Sequence, residues 1–160
     1  MTVEKIHATC VAFGDAGVLI RGPSGAGKSD LALRLIDAGA ILVSDDRTEL
    51  ARDGDAIVAT APAALQGLLE VRGVGILELP HAASARIVLV VDLESETPPE
   101  RLPRPAWCEY LECRVSLMAA DAFERSAATK VRITAFAAAG QTDPATGATI
   151  RRRNEDRPTR

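Results

Sequence analysis

Gly22-Pro23-Ser24-Gly25-Ala26-Gly27-Lys28-Ser29 is the stretch whose reading decides the fold. It fits G-x-x-x-x-G-K-[ST], a loop in which glycines let successive backbone N–H groups turn inward around phosphate oxygens. The pattern assigns Lys28 to the β/γ-phosphates and the Ser29 hydroxyl to Mg²⁺. Its flanks agree. Val18-Leu19-Ile20 suits a buried strand, and residues 30–38 carry the spacing of a helix. Leu31 and Leu35 would face the sheet with Ala32 and Ile36 beside them, and Gly39 is a natural stop. A glycine-rich surface loop without a ligand is the competing interpretation, and the order strand, loop, helix tells against it.

Around this motif, 160 residues suffice for one substantial core, so a single domain is expected over residues 1–139, followed by a flexible tail at 140–160. The chain is 47% hydrophobic and 26% charged with a formal net charge of -3, a globular profile. No basic field surrounds the loop, which argues against nucleic acid as a partner. The aromatic residues are Phe13, Trp107, Tyr110, Phe123 and Phe136, so the core must come mainly from Val, Leu, Ile and Ala. Cys10, Cys108 and Cys113 lack zinc spacing and make a disulfide framework improbable. With no apolar run near membrane length and no signal-peptide pattern, no membrane association and a cytoplasmic location are expected.

Residues 6–13 read as a first strand containing His7, turned antiparallel onto 18–21 by residues 14–17. A lone strand histidine is more often packed or solvent-facing than catalytic. Residues 40–43 read as a central strand running into Ser44-Asp45-Asp46, with a hairpin (48–52, 56–60) hung on its end. After a turn or short helical segment at 62–67, residues 86–93 form the most hydrophobic strand and belong inside the sheet. Residues 95–105, with four prolines, read as a surface connection, 110–118 as another strand, and 127–138 as a final helix packing Val131 and Ala135. Residues 151–160 hold five arginines against two acids and read as a solvated tail.

Asp45 and Asp46 fall at the C-terminal end of a strand, where α/β proteins place ligands. One carboxylate there would complete a Mg²⁺ shell and the second would serve as general base, unless the pair merely caps the hairpin. Glu70 and Arg72 stand two apart, on one face of an extended strand. They either bind Mg²⁺ and phosphate or neutralise each other on the surface, and Gly73 and Gly75 beside them favour a site.

Taken together, His7, the loop from Gly22 to Ser29, Val43-Ser44-Asp45-Asp46 and Leu69-Glu70-Val71-Arg72-Gly73-Val74-Gly75-Ile76 resemble the catalytic domain of HPr kinase/phosphorylase, in a short form lacking the N-terminal domain. The resemblance implies an α/β fold with a phosphate-loop mixed sheet and flanking helices, akin to phosphoenolpyruvate carboxykinase. It implies ATP- and Mg²⁺-dependent phosphorylation of a serine on HPr, the phosphocarrier of the sugar phosphotransferase system, and a phosphorolysis that returns pyrophosphate. It assigns Lys28 and the loop amides to the β-phosphate, and Ser29 and Glu70 to the metal. Asp45 becomes the acid/base, Asp46 supports metal or base, and His7 lies beside the reacting phosphate. A homo-oligomer is implied as well.

Two departures bear on activity. The first catalytic strand begins almost at Met1, where family members usually carry another domain, as in the short forms of alphaproteobacteria. The Pro-Gly-Arg-Asn segment that supports phosphorolysis is missing, with Arg72, Arg125 or Lys130 as candidate replacements. The expectation is therefore a serine kinase with weaker phosphorolysis. A small-molecule kinase and a nucleotide-dependent regulatory module are the alternatives.

Overall fold

The computed structural model describes residues 2–94 and 100–151. Among the described residues, eleven strands form a large mixed sheet and a small hairpin, with two α-helices and a 3₁₀ turn at Ala63–Leu65. In chain order the elements are β1 (Val3–Ile6), β2 (Ala8–Phe13), β3 (Ala16–Arg21), α1 (Lys28–Asp37), β4 (Ile41–Ser44), β5 (Thr48–Asp53) and β6 (Ala56–Thr60). They continue with β7 (Leu68–Val71), β8 (Gly75–Glu78), β9 (Ala85–Leu93), β10 (Ala106–Tyr110), β11 (Cys113–Ala120) and α2 (Ala127–Ala138). The sheet runs β1-β5-β6-β9-β3-β2-β4, and the β10–β11 hairpin branches off β9.

β9 is the hub. Its first residues pair antiparallel with β6 (Ala59↔Ala85), and its remainder pairs parallel with β3 (Ile20↔Val91) and with β11 (Met118↔Val91). The alternation of strand side chains then divides the interior into two cores. Val11, Phe13, Val18, Ile20, Leu89, Val91 and Leu93 point to one face, where Leu31 and Leu35 of α1 and Val131 and Ala135 of α2 cover them. Cys10, Ala12, Leu19, Ile87 and Val90 point to the other, against Val43, Leu50, Ile57 and Val115. Both helices thus share one face, and strands alone close the other. Truncating a fully buried member such as Leu35 or Leu89 to Ala would cost about 2–5 kcal/mol.

Three expectations change. The strand foreseen at 6–13 is two strands, with His7 at the bend between them. β1 leaves β2 to pair with β5. The strand foreseen as central, β4, ends the sheet path, bonded to β2 on one side. On its other side, among the described residues, it receives a bridge to His81 and the amide of Ala82, which donates to the Leu42 carbonyl at 2.9 Å. The strand foreseen at 110–118 is the second arm of a hairpin whose first arm, β10, gave no signal. The turn between the arms, Leu111-Glu112, has φ of 47° and 66° without a glycine.

β2 and β3 form the expected antiparallel pair, β5 and β6 the expected hairpin, and α1 and α2 occupy the expected residues within one or two positions. The expected domain limit at 139 falls just before Asp143, which is fully buried. Its carboxylate accepts from Thr146 Oγ1 at 2.5 Å and from Arg132 Nε of α2 at 3.1 Å. Of the proline-rich connection, residues 95–99 lie outside the described residues, as do residues 152–160 of the arginine-rich tail. No described helix is long and apolar enough to cross a membrane.

Candidate functional site

The phosphate loop joins the end of β3 to the start of α1, and its glycines answer to particular demands. Gly25 and Gly27 have φ of 85° and 97°, in the region that favours glycine. At Gly27 a Cβ would also lie 2.9 Å from the Ala122 Cβ. The Ala26 amide donates to the Pro23 carbonyl at 3.1 Å, tightening the loop. Gly27 caps α1 without a side-chain bond, so the positive end of the helix faces the loop's interior. Just before the loop, Arg21 pairs with Asp92 of β9 through Nε and again through Nη2 at 3.1 Å. Nη1 of the same guanidinium donates to the Tyr110 hydroxyl at 2.7 Å. The loop is therefore anchored to the hub strand.

Lys28 is nearly buried, and its Nζ donates to the carbonyls of Gly22 at 2.8 Å and Pro23 at 3.2 Å. An ammonium has three donors, so one remains for a phosphate oxygen. The Ser29 hydroxyl donates to Asp45 Oδ1 at 2.7 Å. Asp45 also accepts from Thr9 Oγ1 at 3.0 Å and, through Oδ2, from the Glu70 amide at 3.2 Å. Asp46 adopts φ of 64°, a left-handed conformation that Asp tolerates better than most residues. Its amide donates to Thr9 Oγ1 at 3.1 Å, and its Oδ1 lies 2.5 Å from His7 Nε2.

A cavity of about 530 Å³ opens here, lined by Ser24, Gly25, Gly27, Lys28, Ser29, Asp30, Asp45, Asp46, Glu70, Val71, Arg72 and Phe123. The expected carboxylates, hydroxyl and ammonium thus converge, while Gly22, Pro23 and Ala26 shape the loop from behind and His7 adjoins through Asp46. β7 ends at Val71, so Arg72 lies in the turn beyond it, yet it lines the cavity with Glu70.

Sequence reasoning missed Thr9 and Phe123. Thr9 was within reach of it, since two positions after His7 puts a side chain on the same face of an extended chain. Phe123 sits in an irregular loop and had no periodic signal to expose it. The three cysteines are free and do not line the cavity. Burial pushes the Cys10 thiol far above its ordinary range, and it raises Cys108 as well. Neither is set up as a nucleophile.

Comparison with known proteins follows the same constellation. The family model described as HPr Serine kinase C-terminal domain matches residues 1–104. The chain belongs to that family. It is 40% identical over 109 residues to an HPr kinase/phosphorylase of Limosilactobacillus reuteri (strain DSM 20016), covering 63% of this chain and 34% of the relative. It is 47% identical over 97 residues to one of Exiguobacterium sibiricum, covering 56% and 31%. The chain therefore spans about a third of the length of these relatives. The fold is that of a solved structure titled as the Hpr(Ser) kinase/phosphatase from Coxiella burnetii, with a TM-score of 0.71, 24% identity and coverage of 80% of this chain and 91% of the other. As an HPr Serine kinase C-terminal domain, the chain has the phosphate-loop mixed sheet that its sequence implied.

Proposed function

We propose that this chain transfers the γ-phosphoryl group of ATP, with Mg²⁺, to a serine hydroxyl of HPr or an HPr-like phosphocarrier protein. The observation that carries the reading is the Ser29–Asp45 hydrogen bond. It joins the phosphate loop to a strand-end carboxylate, with the Glu70 amide on the same carboxylate. Family membership supports the substrate class.

The donor set fits Mg²⁺, which takes oxygen ligands and is commonly held by one or two carboxylates together with substrate phosphates. Ser29, Glu70 and Asp46 are the residues that would hold it, and the ion would supply charge neutralisation on the phosphates. The loop amides and the α1 N-terminus bind phosphate oxygens, and Lys28 adds a positive charge that serves substrate and transition state alike. Asp45 accepts the proton of the incoming serine. The O–H···O contact it now makes with Ser29 has the geometry that a general base needs. In the forward reaction the bond from the γ-phosphorus to the bridging oxygen breaks as the serine oxygen bonds to phosphorus, and Asp45 later releases the proton to water. His7 holds Asp46 beside the reacting group.

Phosphorolysis would use the same groups in reverse, with Asp45 returning a proton to serine as inorganic phosphate takes the phosphoryl group. That direction needs a further cation for phosphate. Of the candidates, Lys130 is engaged by Glu124 at 2.7 Å, Arg125 is exposed ahead of α2, and Arg72 alone lines the cavity, so the reverse rate is expected to be the lower one and to depend on Arg72. Assembly into a homo-oligomer belongs to the same proposal and is read from the mass in solution.

The test incubates the protein with ATP, Mg²⁺ and purified HPr, then maps phosphate by mass spectrometry. Phosphoserine on HPr is the expected result, with slower pyrophosphate release from phospho-HPr when phosphate is supplied. Transfer to small metabolites alone would reject the protein-kinase reading, and nucleotide binding without any transfer would leave a regulatory module.

A further inference from the structure

Phe123 stands out among the cavity residues because most of its ring is in water, 67% exposed, although its main chain is fixed. The Phe123 amide donates to Asp121 Oδ1 at 2.9 Å. The Arg34 guanidinium of α1 donates to the carbonyls on both sides of it, Ala122 through Nη2 and Glu124 through Nη1 at 3.3 Å. Ala122 beneath it is buried against Gly27. The ring itself stands against the phosphate loop, since a Cβ on Gly27 would lie 3.5 Å from the Phe123 Cζ. Folding normally hides a phenylalanine, and here three hydrogen bonds and a packed neighbour present one to solvent at the rim of the cleft.

A nucleotide whose phosphates fill the loop has its base tethered to them through one sugar, so the base must settle along the same cavity. Phe123 is the one aromatic among the residues lining it. Flat, sequence-tolerant stacking on an aromatic ring is how proteins commonly hold a base. We propose that Phe123 is the stacking platform for the nucleotide base, held at a set height above the phosphate loop by Arg34 and Asp121. The inference rests on the phosphate-loop reading above and assigns a subsite to it.

The experiment compares binding of Mg–ATP and Mg–tripolyphosphate to the full chain by calorimetry, because tripolyphosphate has the phosphates without a base. Phe123→Ala should weaken ATP binding about tenfold and leave tripolyphosphate within about twofold, while Phe123→Tyr keeps ATP within about threefold of the parent. Phe123→Trp provides an independent readout. Its indole fluorescence should be quenched by ATP and not by tripolyphosphate, with the parent protein, which has Trp107 alone, giving no such difference. Unchanged ATP affinity in Phe123→Ala, equal weakening of both ligands, or no ATP-specific quenching in Phe123→Trp would overturn the platform. Unchanged ATP affinity with weakened HPr binding would also overturn it, and would make the ring a protein contact. Binding of neither ligand by the parent protein would overturn the phosphate-loop reading and the platform with it, whereas tripolyphosphate binding preserves the former by itself.

Discussion

At the scale of single residues, one hydroxyl joins the Asp45 carboxylate to the backbone of Asp46. Thr9 is fully buried, donates to Asp45 and accepts from the backbone of Asp46, so it sets the relative position of both. Thr9→Val keeps the shape and removes both part-buried bonds, each worth about 0.5–1.5 kcal/mol. The expected outcome is a lower kcat with a smaller change in KM, restored in large part by Thr9→Ser. An equal fall in stability and kcat for Thr9→Ser and Thr9→Val would show that the hydroxyl is not what matters. Lys28 and Asp45 should separate in the same assays. Lys28→Ala is expected to weaken nucleotide binding and slow transfer. Asp45→Asn should keep much of the ATP affinity and lose roughly 10²–10⁴-fold in transfer rate. If Asp45→Asn loses binding and rate equally, that carboxylate serves mainly the metal.

At the scale of elements, what was legible in the sequence follows from what kind of signal each element emits. Residues 18–38 announced themselves because the glycines, Lys28 and the helical spacing all sit in contiguous sequence. β9 was legible as an apolar run. β4 looked central because Ala40-Ile41-Leu42-Val43 is an unbroken apolar run; Leu42 and Val43 are indeed buried, but burial reports covered faces, whereas sheet position depends on which edges find hydrogen-bond partners. β10 was invisible because its turn carries Leu111 and Glu112 where two positive φ angles ordinarily call for Asn or Gly. That turn permits a sharp prediction. Glu112 has a side chain 89% exposed and only a long contact, 3.7 Å, to Arg52, a pair of little worth at a surface. Its left-handed backbone costs about 1–2 kcal/mol, more than the entropy a glycine would lose. Glu112→Gly should therefore stabilise the protein by roughly 0.5–1 kcal/mol, raising Tm by about 2 °C. Thermal unfolding checks it, with Glu112→Ala as the control that should give no gain.

At the scale of the whole molecule, the segment after α2 ties into the rest through one buried carboxylate. The Thr146 hydroxyl first, then Arg132 and the Ala145 amide, hold the Asp143 carboxyl below its usual range. A depressed carboxylate contributes stability that is fully present above its unfolded value, about pH 3.9, and is lost as pH falls through the lower folded value. Wild type should accordingly exceed Asp143→Asn in Tm by a constant margin between about pH 5 and 7, and the margin should close below about pH 4. A margin that persists into strong acid would mean that shape rather than charge holds this segment. The loop order of residues 143–147 could not be read in advance, because the bond partner, Arg132, is a largely covered charge on a helix whose apolar periodicity advertises only Val131 and Ala135.

The three-way pairing of β9 also has a consequence for synthesis. A chain emerging from the ribosome exposes β9 well before Cys113–Ala120 can reach it, so Leu89, Val90 and Val91 meet solvent along an open strand edge. That interval exposes the nascent protein to aggregation and sets a minimum length for soluble recovery from cells. A chain stopped at residue 104, where the family match ends, should accumulate in inclusion bodies even though it contains every proposed phosphate-handling residue. Extending it through residue 139 should return it to the supernatant, as a comparison of pelleted and soluble fractions would show.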